Sequence, residues 1–278
     1  MLKRQKKGMG ERMDIVRGKP LFMAITLALG LMSCAGPDVE IKKRETSEGY
    51  YRLGVAYLTG GDYRRAVVEL DKAIELNPND PSYYNAMGLA YFYDRKVDQA
   101  IPHFQKAVQL DPKFSEAYNN LGAAYVQKRM WQDAINAFTR ALANPLYPTP
   151  ERVYYNLANV YYQMGRVNEA IEEYKKALDV APDFDAAHND LGFVYYRQGK
   201  IDLAIEEFKL AIKTNPDYAL AHHNLALAYY TKMGVLDKGS KEYKELKIMA
   251  LESFRKVIKI APAGPLAEDA QRYLKQLE

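Results

Sequence analysis

The sequence predicts an all-α protein, a solenoid of six helix-turn-helix repeats followed by one helix that caps the C-terminal end. Three observations predict it. The sequence repeats with a period of about 34 residues, small and aromatic residues recur at fixed offsets, and a proline closes most periods. A period of this length indicates stacked two-helix units, because a single unit is too small to bury its apolar faces alone.

Two positions of the period and its closing residue show the pattern most clearly. A small residue at position eight lets two helices approach closely, and a tyrosine three residues later fills the space between neighbours. Proline ends the second helix because it cannot continue the hydrogen-bond ladder. Position eight is Gly54, Gly88, Gly122, Ala158, Gly192 and Ala226; position eleven is Tyr57, Tyr91, Tyr125, Tyr161, Tyr195 and Tyr229; the closing prolines are Pro78, Pro112, Pro182, Pro216 and Pro262.

At these positions the chain resembles the tetratricopeptide repeat (TPR) family across residues 47–264. The resemblance implies a right-handed TPR superhelix, an α-solenoid whose groove binds other proteins. We expect repeats at 47–80, 81–114, 115–150, 151–184, 185–218 and 219–264, and a capping helix at 265–278.

Two repeats depart from the period. The third is two residues longer, with Pro145, Pro148 and Pro150 crowded into its exit. The sixth carries about 12 extra residues, within Met233 to Leu246. This insertion is interpreted either as a solvated lengthening of the second helix or as a contact specific to a partner.

Residues 1–33 are predicted to be a cleaved signal peptide of the lipoprotein type. An apolar run of 12 residues, 21–32, follows a basic stretch and is too short to span a bilayer as a helix, which takes roughly 20 residues. The start of translation is left open between Met1, Met9 and Met13.

The apolar run ends at Cys34, the only cysteine of the chain. Its context, Leu31-Met32-Ser33-Cys34, resembles the bacterial lipobox, so a covalent lipid on Cys34 is expected. The alternatives are an ordinary leader with an incidental cysteine, or a buried free thiol. Several acyl chains would make anchoring effectively permanent, because one chain alone binds a membrane only marginally.

Residues 34–46 lack periodicity and are predicted to be the lipidated N terminus and a tether. Twelve extended residues would reach about 40 Å at roughly 3.3–3.6 Å each. In an enteric-type Gram-negative host, Ala35 rather than Asp after the cysteine predicts sorting to the outer membrane, with the array facing the periplasm. Contact with the membrane is expected through the lipid anchor only.

The charge distribution argues against a nucleic-acid partner. Residues 1–34 hold seven basic and two acidic side chains, so the overall net charge of +4 leaves −1 for the rest of the chain. No basic stripe of the kind that phosphate binding requires remains after cleavage of the leader.

In TPR proteins the first helices of successive repeats line a concave groove, and the resemblance carries this role to matching positions here. Regularly spaced amides could pair with the backbone of an extended peptide, and aromatic rings would supply contact area. Position six of the fifth repeat is Asp190. Asn at position six and Tyr at position twelve are also general features of TPR repeats, so convex faces and inter-repeat edges stay open as alternatives. The predicted groove residues are Tyr51, Asn85, Leu89, Phe92, Asn119, Asn120, Tyr155, Asn156, Asn159, Tyr162, Asn189, Phe193, Tyr196, His223, Asn224 and Tyr230.

No enzymatic activity is predicted, because no nucleophile elbow, phosphate loop or paired carboxylates with chemical spacing occur. No cofactor, metal or small-molecule substrate is expected, apart from the covalent lipid on Cys34. His188 and His222 stand at position four, where other repeats carry Tyr, so packing explains them better than metal binding. Binding of acidic chaperone tails is not expected either, because it needs a basic residue at position five and no position five is Lys or Arg.

The order of lipobox, short tether, six repeats and terminal helix resembles the type IV pilus pilotin family, PilF/PilW. The resemblance implies an outer-membrane lipoprotein that assists the assembly or localisation of the secretin. The alternative is an envelope scaffold for peptidoglycan enzymes, outer-membrane barrel assembly or polysaccharide export. Either function predicts a protein partner, a secretin or another envelope assembly component.

Overall fold

The structure, a computed structural model, describes residues 37–278, so the predicted signal peptide, Cys34 and Ala35 lie outside it. Thirteen α-helices and no strand occur within these residues. The helices are α1 (Pro37–Thr59), α2 (Tyr63–Leu76), α3 (Pro81–Tyr93), α4 (Val97–Leu110), α5 (Ser115–Gln127), α6 (Trp131–Leu142), α7 (Pro150–Gln163), α8 (Val167–Val180), α9 (Asp185–Arg197), α10 (Ile201–Thr214), α11 (Ala219–Met233), α12 (Lys241–Ile260) and α13 (Pro265–Leu277).

Consecutive helices pair into hairpins, and each hairpin packs on the next. From α3 onward the tightest packing lies within the pairs α3–α4, α5–α6, α7–α8, α9–α10 and α11–α12, and α13 packs on α12. The prediction of an all-α TPR superhelix with a C-terminal capping helix is confirmed. Thr46–Glu278 form one compact unit, and the helical residues 37–45 belong to a separate one.

The hairpins are held together by a small residue facing a large one. A Cβ added to Gly88 of α3 would lie 2.6 Å from the Phe104 ring of α4, and one added to Gly122 would lie 2.5 Å from Phe138. Both rings are fully buried. Position eight is therefore small because the aromatic side chain of the second helix occupies the space that a side chain there would need.

The segment before the first repeat is helical rather than extended. Helix α1 begins at Pro37, so residues 37–46 do not form the extended tether predicted from their lack of periodicity. Proline is tolerated in the first helical turn, and the Glu, Lys and Arg residues that follow are good helix formers. A helical residue advances about 1.5 Å, so this stretch reaches less than half as far as predicted.

The insertion of the sixth repeat is shared between loop and helix. Helix α12 has 20 residues where α10 has 14, and a loop of residues 234–240 precedes it. The Ser240 side chain caps α12 by accepting a hydrogen bond from the Tyr243 backbone N–H at 3.1 Å. Lengthening of the second helix therefore explains part of the insertion, and the loop explains the rest.

The extra residues of the third repeat lie in its exit. Helix α6 ends at Leu142, and residues 143–149 connect it to α7. Pro150 occupies the first turn of α7, where its missing N–H costs no hydrogen bond.

The C-terminal helix covers the end of the stack with an apolar stripe. Ala267, Ala270 and Leu277 of α13 are buried, with Ala270 fully inaccessible. The Tyr273 ring stacks on Phe254 of α12, with centroids 5.1 Å apart. The spacing of apolar residues predicts a stripe of Leu266, Ala270, Tyr273, Leu274 and Leu277 for a capping helix; Ala270, Leu277 and the packed Tyr273 ring belong to it, and Ala267 adds to it.

Candidate protein-binding groove

The first helices of neighbouring repeats are joined by a ladder of side-chain hydrogen bonds. The position-six amide of one repeat donates to the position-five amide of the repeat before it. The bonds are Asn120 Nδ2 to Asn85 Oδ1 at 3.0 Å, Asn156 Nδ2 to Asn119 Oδ1 at 3.2 Å, and Asn224 Nδ2 to Asn189 Oδ1 at 2.9 Å. Because each bond requires a fixed offset between helices, the ladder sets the register of the stack.

Between the fourth and fifth repeats the ladder changes its chemistry. The Tyr155 hydroxyl donates to Asp190 Oδ2 at 2.7 Å, so the donor now lies at position five. Asp190 Oδ1 accepts a second bond from the Asn189 amide at 3.0 Å. A carboxylate thus replaces the amide at this single rung between repeats.

The ladder continues into the capping helix. His223 Nε2 lies 2.9 Å from Asp269 Oδ2 of α13, and the two residues are 46 apart in the chain. Helix α13 therefore pairs with α11 at the position where the first helix of a seventh repeat would do so. Asp269 is a functional-site neighbour that the repeat pattern did not predict, because the pattern ends before it.

The ladder corrects the predicted role of four groove residues. Asn85, Asn189, His223 and Asn224 are buried, with 1–9% of their surface exposed. The three amides bond to neighbouring repeats and the His223 ring bonds to the capping helix, so these bonds would compete with pairing to a bound peptide backbone. The sequence pattern places them towards the groove, but the close spacing of the first helices turns them towards each other.

The other predicted groove residues keep accessible surface. Those outside the ladder are aliphatic, aromatic or amide side chains that are only partly buried. They are Tyr51, Leu89, Phe92, Asn159, Tyr162, Phe193, Tyr196 and Tyr230, and the partly buried ladder members are Asn119, Asn120, Tyr155 and Asn156.

Aromatic residues of the last three repeats form a strip along the groove. Tyr162 meets Phe193 edge to face with centroids 6.3 Å apart, and the Tyr196 hydroxyl lies 2.9 Å from Thr231 Oγ1. Tyr230 meets Tyr273 of the capping helix at 5.0 Å. We call Tyr162, Phe193, Tyr196 and Tyr230 the aromatic strip. Partly exposed rings held by their neighbours suit the binding of apolar side chains at low entropic cost.

The electrostatics of the groove centre on Asp190. Burial raises the pKa of its carboxyl group, and the bonds from Tyr155 and Asn189 only partly oppose this. Burial and the nearby charges of Asp190 and Asp185 raise the pKa of Tyr218 to about 12. The partners of Asp190 are both neutral, and none of the ion pairs within residues 39–278 includes it.

Side chains at position four bond to the backbone carbonyl of a proline six residues earlier. His188 Nε2 lies 3.0 Å from the Pro182 carbonyl, and His222 Nε2 lies 3.0 Å from the Pro216 carbonyl. The Tyr84 hydroxyl donates in the same way to the Pro78 carbonyl at 3.1 Å, a partner that the sequence did not predict. In the part of the chain that the structure describes, no group of His, Cys, Asp and Glu side chains could hold a metal ion.

Two further observations concern the predicted membrane anchor. Cys34 is outside residues 37–278, so its lipidation stays a prediction. None of the described helices is both long enough and apolar enough to cross a bilayer.

Comparison with known families identifies the fold. A TPR repeat family matches residues 54–93, 96–128, 158–199 and 194–232, and a second tetratricopeptide repeat family matches 117–146. The chain belongs to the tetratricopeptide repeat family. Its class is therefore that of protein-binding scaffolds, which generally act by binding rather than by catalysis.

Solved structures support the same fold. PilF of Pseudomonas aeruginosa is 20% identical, with 84% of this chain and 99% of that chain covered at a TM-score of 0.71. PilW, described as a widely conserved type IV pilus biogenesis factor, is 22% identical, with coverages of 77% and 97% and a TM-score of 0.62. MamA is 32% identical, with coverages of 63% and 94% and a TM-score of 0.54.

The resemblance to PilF and PilW that the sequence predicts is confirmed for the fold. No curated protein matches the chain.

Proposed function

We propose that this protein is a lipid-anchored TPR scaffold that binds a secretin subunit in its groove and assists type IV pilus biogenesis. The observation that carries the proposal is the match to PilF, which extends over 99% of that chain. PilW, a type IV pilus biogenesis factor, matches over 97% of its length. The pilotin-like order of lipobox, repeats and terminal helix in the sequence points to the secretin as the partner.

The groove supports binding of a protein segment rather than a small molecule. The aromatic strip spans three repeats, from Tyr162 to Tyr230, and its four rings are only partly buried. Aromatic side chains with few rotatable bonds carry a large share of the energy in many protein interfaces. A segment of a secretin subunit laid along this strip would be held while the subunit is brought to the membrane.

The proposed anchor is a lipid on Cys34, with the array on the periplasmic side of the outer membrane. It rests on the lipobox-like sequence Leu31-Met32-Ser33-Cys34 at the end of the apolar run. Metabolic labelling with an alkyne fatty acid tests it. We expect label in the wild type and none in Cys34→Ala, and the protein should move from the membrane to the soluble fraction in that variant.

The partner is tested in the host by site-specific photo-crosslinking followed by mass spectrometry. One crosslinking residue replaces Phe193 on the aromatic strip, and a matched control replaces Leu203, which is 43% exposed on the second helix of the same repeat. A secretin captured at Phe193 and not at Leu203 would support the proposal. Capture of peptidoglycan enzymes, barrel-assembly proteins or polysaccharide-export proteins at Phe193 would contradict the secretin proposal. It would support the alternative, an envelope scaffold.

A further inference from the structure

Asp190 differs chemically from its counterparts in the ladder. Position six of the other repeats is Arg52, Ala86, Asn120, Asn156 or Asn224. An amide at this position both donates and accepts, so two amides satisfy each other within the stack. A carboxylate only accepts, and it adds a negative charge to the first helix of the fifth repeat.

The charge of Asp190 is not balanced within the described residues. Its two oxygens accept one bond each, from the Tyr155 hydroxyl and the Asn189 amide, although an ionised carboxylate has about four acceptor sites. Charged side chains that are largely removed from water are normally paired with an opposite charge. The raised pKa of Asp190 agrees with a desolvated carboxylate that lacks a cation.

The surroundings of Asp190 are aromatic. The Tyr155 ring packs against Phe184, with centroids 5.0 Å apart, and against Tyr174 at 5.9 Å. A carboxylate beside aromatic rings fits a Lys or Arg side chain, whose charged end pairs with the acid while its stem and cation pack on the rings.

We propose that Asp190, together with Tyr155 and the rings packed on it, is the recognition site for a lysine or arginine side chain of the segment bound in the groove. The inference rests on the proposed groove binding and specifies the chemistry of the partner. The occupant is a segment of the partner protein in which one basic residue stands beside apolar residues, since Phe193, one turn further along α9, belongs to the aromatic strip. Because Asp190 is an acid without a paired cation, charge complementarity requires a basic side chain as its partner.

The test is a selection of random peptides on the purified full chain, repeated with Asp190→Asn. The matched control is Glu116→Gln, which removes an exposed carboxylate at position two of the third repeat. We expect the wild type and the control to enrich peptides with a Lys or Arg at one fixed position beside apolar residues. Affinity of such a peptide should fall roughly 30-fold or more with Asp190→Asn, because a partner left unpaired in a desolvated site loses the whole interaction.

A second measurement does not depend on how well the variant folds. Replacing the basic residue of the selected peptide by norleucine should weaken binding to the wild type by the same factor. Peptides enriched without a fixed basic residue, or unchanged affinity of the norleucine peptide, would overturn the inference and leave groove binding in place. Enrichment of no peptide at all would overturn groove binding itself, and this site with it.

Discussion

The side-chain amide of Asn224 donates to Asn189 Oδ1 at 2.9 Å, and both side chains are buried. The two residues belong to the first helices of neighbouring repeats, 35 positions apart. A buried polar group costs free energy unless it is hydrogen-bonded, so this pair stabilises only one offset between the helices. Polar contacts between the first helices therefore help to set the shape of the groove, and a ligand takes no part in them.

Asn224→Ala should lower stability by about 1–3 kcal/mol, because it leaves Asn189 Oδ1 buried without this donor. The measurement is the midpoint of urea unfolding followed by circular dichroism. Asn156→Ala is the matched control, since its acceptor Asn119 is only partly buried and water can replace the lost bond. The control should lose about 1 kcal/mol or less. Equal losses of stability in the two variants would show that the buried hydrogen bond contributes no more than the partly buried one.

Gly88→Ala should destabilise the second repeat by about 1–3 kcal/mol, because its Cβ would lie 2.6 Å from the Phe104 ring. Gly49→Ala is the control within another helix, where a new Cβ meets nothing within 4 Å. That variant should keep or raise the midpoint of thermal unfolding, since alanine favours helix over glycine. A loss of stability in both variants would contradict the close approach of α3 and α4.

Arg129→Gly should stabilise the protein by about 0.5–1 kcal/mol. Arg129 has a φ angle of 57°, in the left-handed region that costs a side-chain-bearing residue about 1–2 kcal/mol. Glycine removes that cost. Part of the gain in stability is lost again because glycine increases the conformational freedom of the unfolded chain. The reciprocal change is Gly199→Arg, at a turn with a φ of 74°, which should lower the midpoint of thermal unfolding.

His188 and His222 should respond to pH in opposite directions. Burial alone would lower the pKa of His188, but Glu207 at 2.7 Å from Nδ1 and the Pro182 carbonyl outweigh it, so the pKa is raised. The stabilisation from His188 is therefore complete below the unfolded-state pKa and lost as the pH rises through the folded-state pKa. Burial lowers the pKa of His222, so its contribution is present above the unfolded-state pKa and lost as the pH falls.

Titration of the histidine ring signals by NMR measures both pKa values directly. Glu207→Gln should lower the pKa of His188 and leave that of His222 unchanged, because only His188 contacts Glu207. An unchanged His188 titration in Glu207→Gln would show that the ion pair does not form in solution.

Much of the fold could be predicted because its determinants are local and periodic. The small residue at Gly122 and the ring of Phe138 stand 16 positions apart within one repeat, so their spacing already places them on facing sides of a hairpin. The capping helix followed from the apolar stripe that includes Ala270 and Leu277. The helical start of α1 at Pro37 was missed, because residues 37–46 have helix-forming composition without an apolar period.

The candidate site was predicted less well, because its contacts join different repeats. Position within a repeat places Asn189 and Asn224 on the groove side, yet does not say whether their amides meet a ligand or each other. His223 pairs with Asp269, 46 positions away and beyond the last period, where the pattern gives no guidance. The unbalanced charge of Asp190 likewise became visible only with its neighbours in place.

The sequence by itself determined the class of this protein: the number of hairpins, the faces that they bury and the direction in which they stack. Those features depend on the spacing of apolar and small residues, which any stretch of chain carries locally. Only the tertiary structure decided which polar side chains of the groove are used internally and which remain accessible. That choice depends on the distance between first helices of neighbouring repeats, and burial makes the internal bonds the favoured ones.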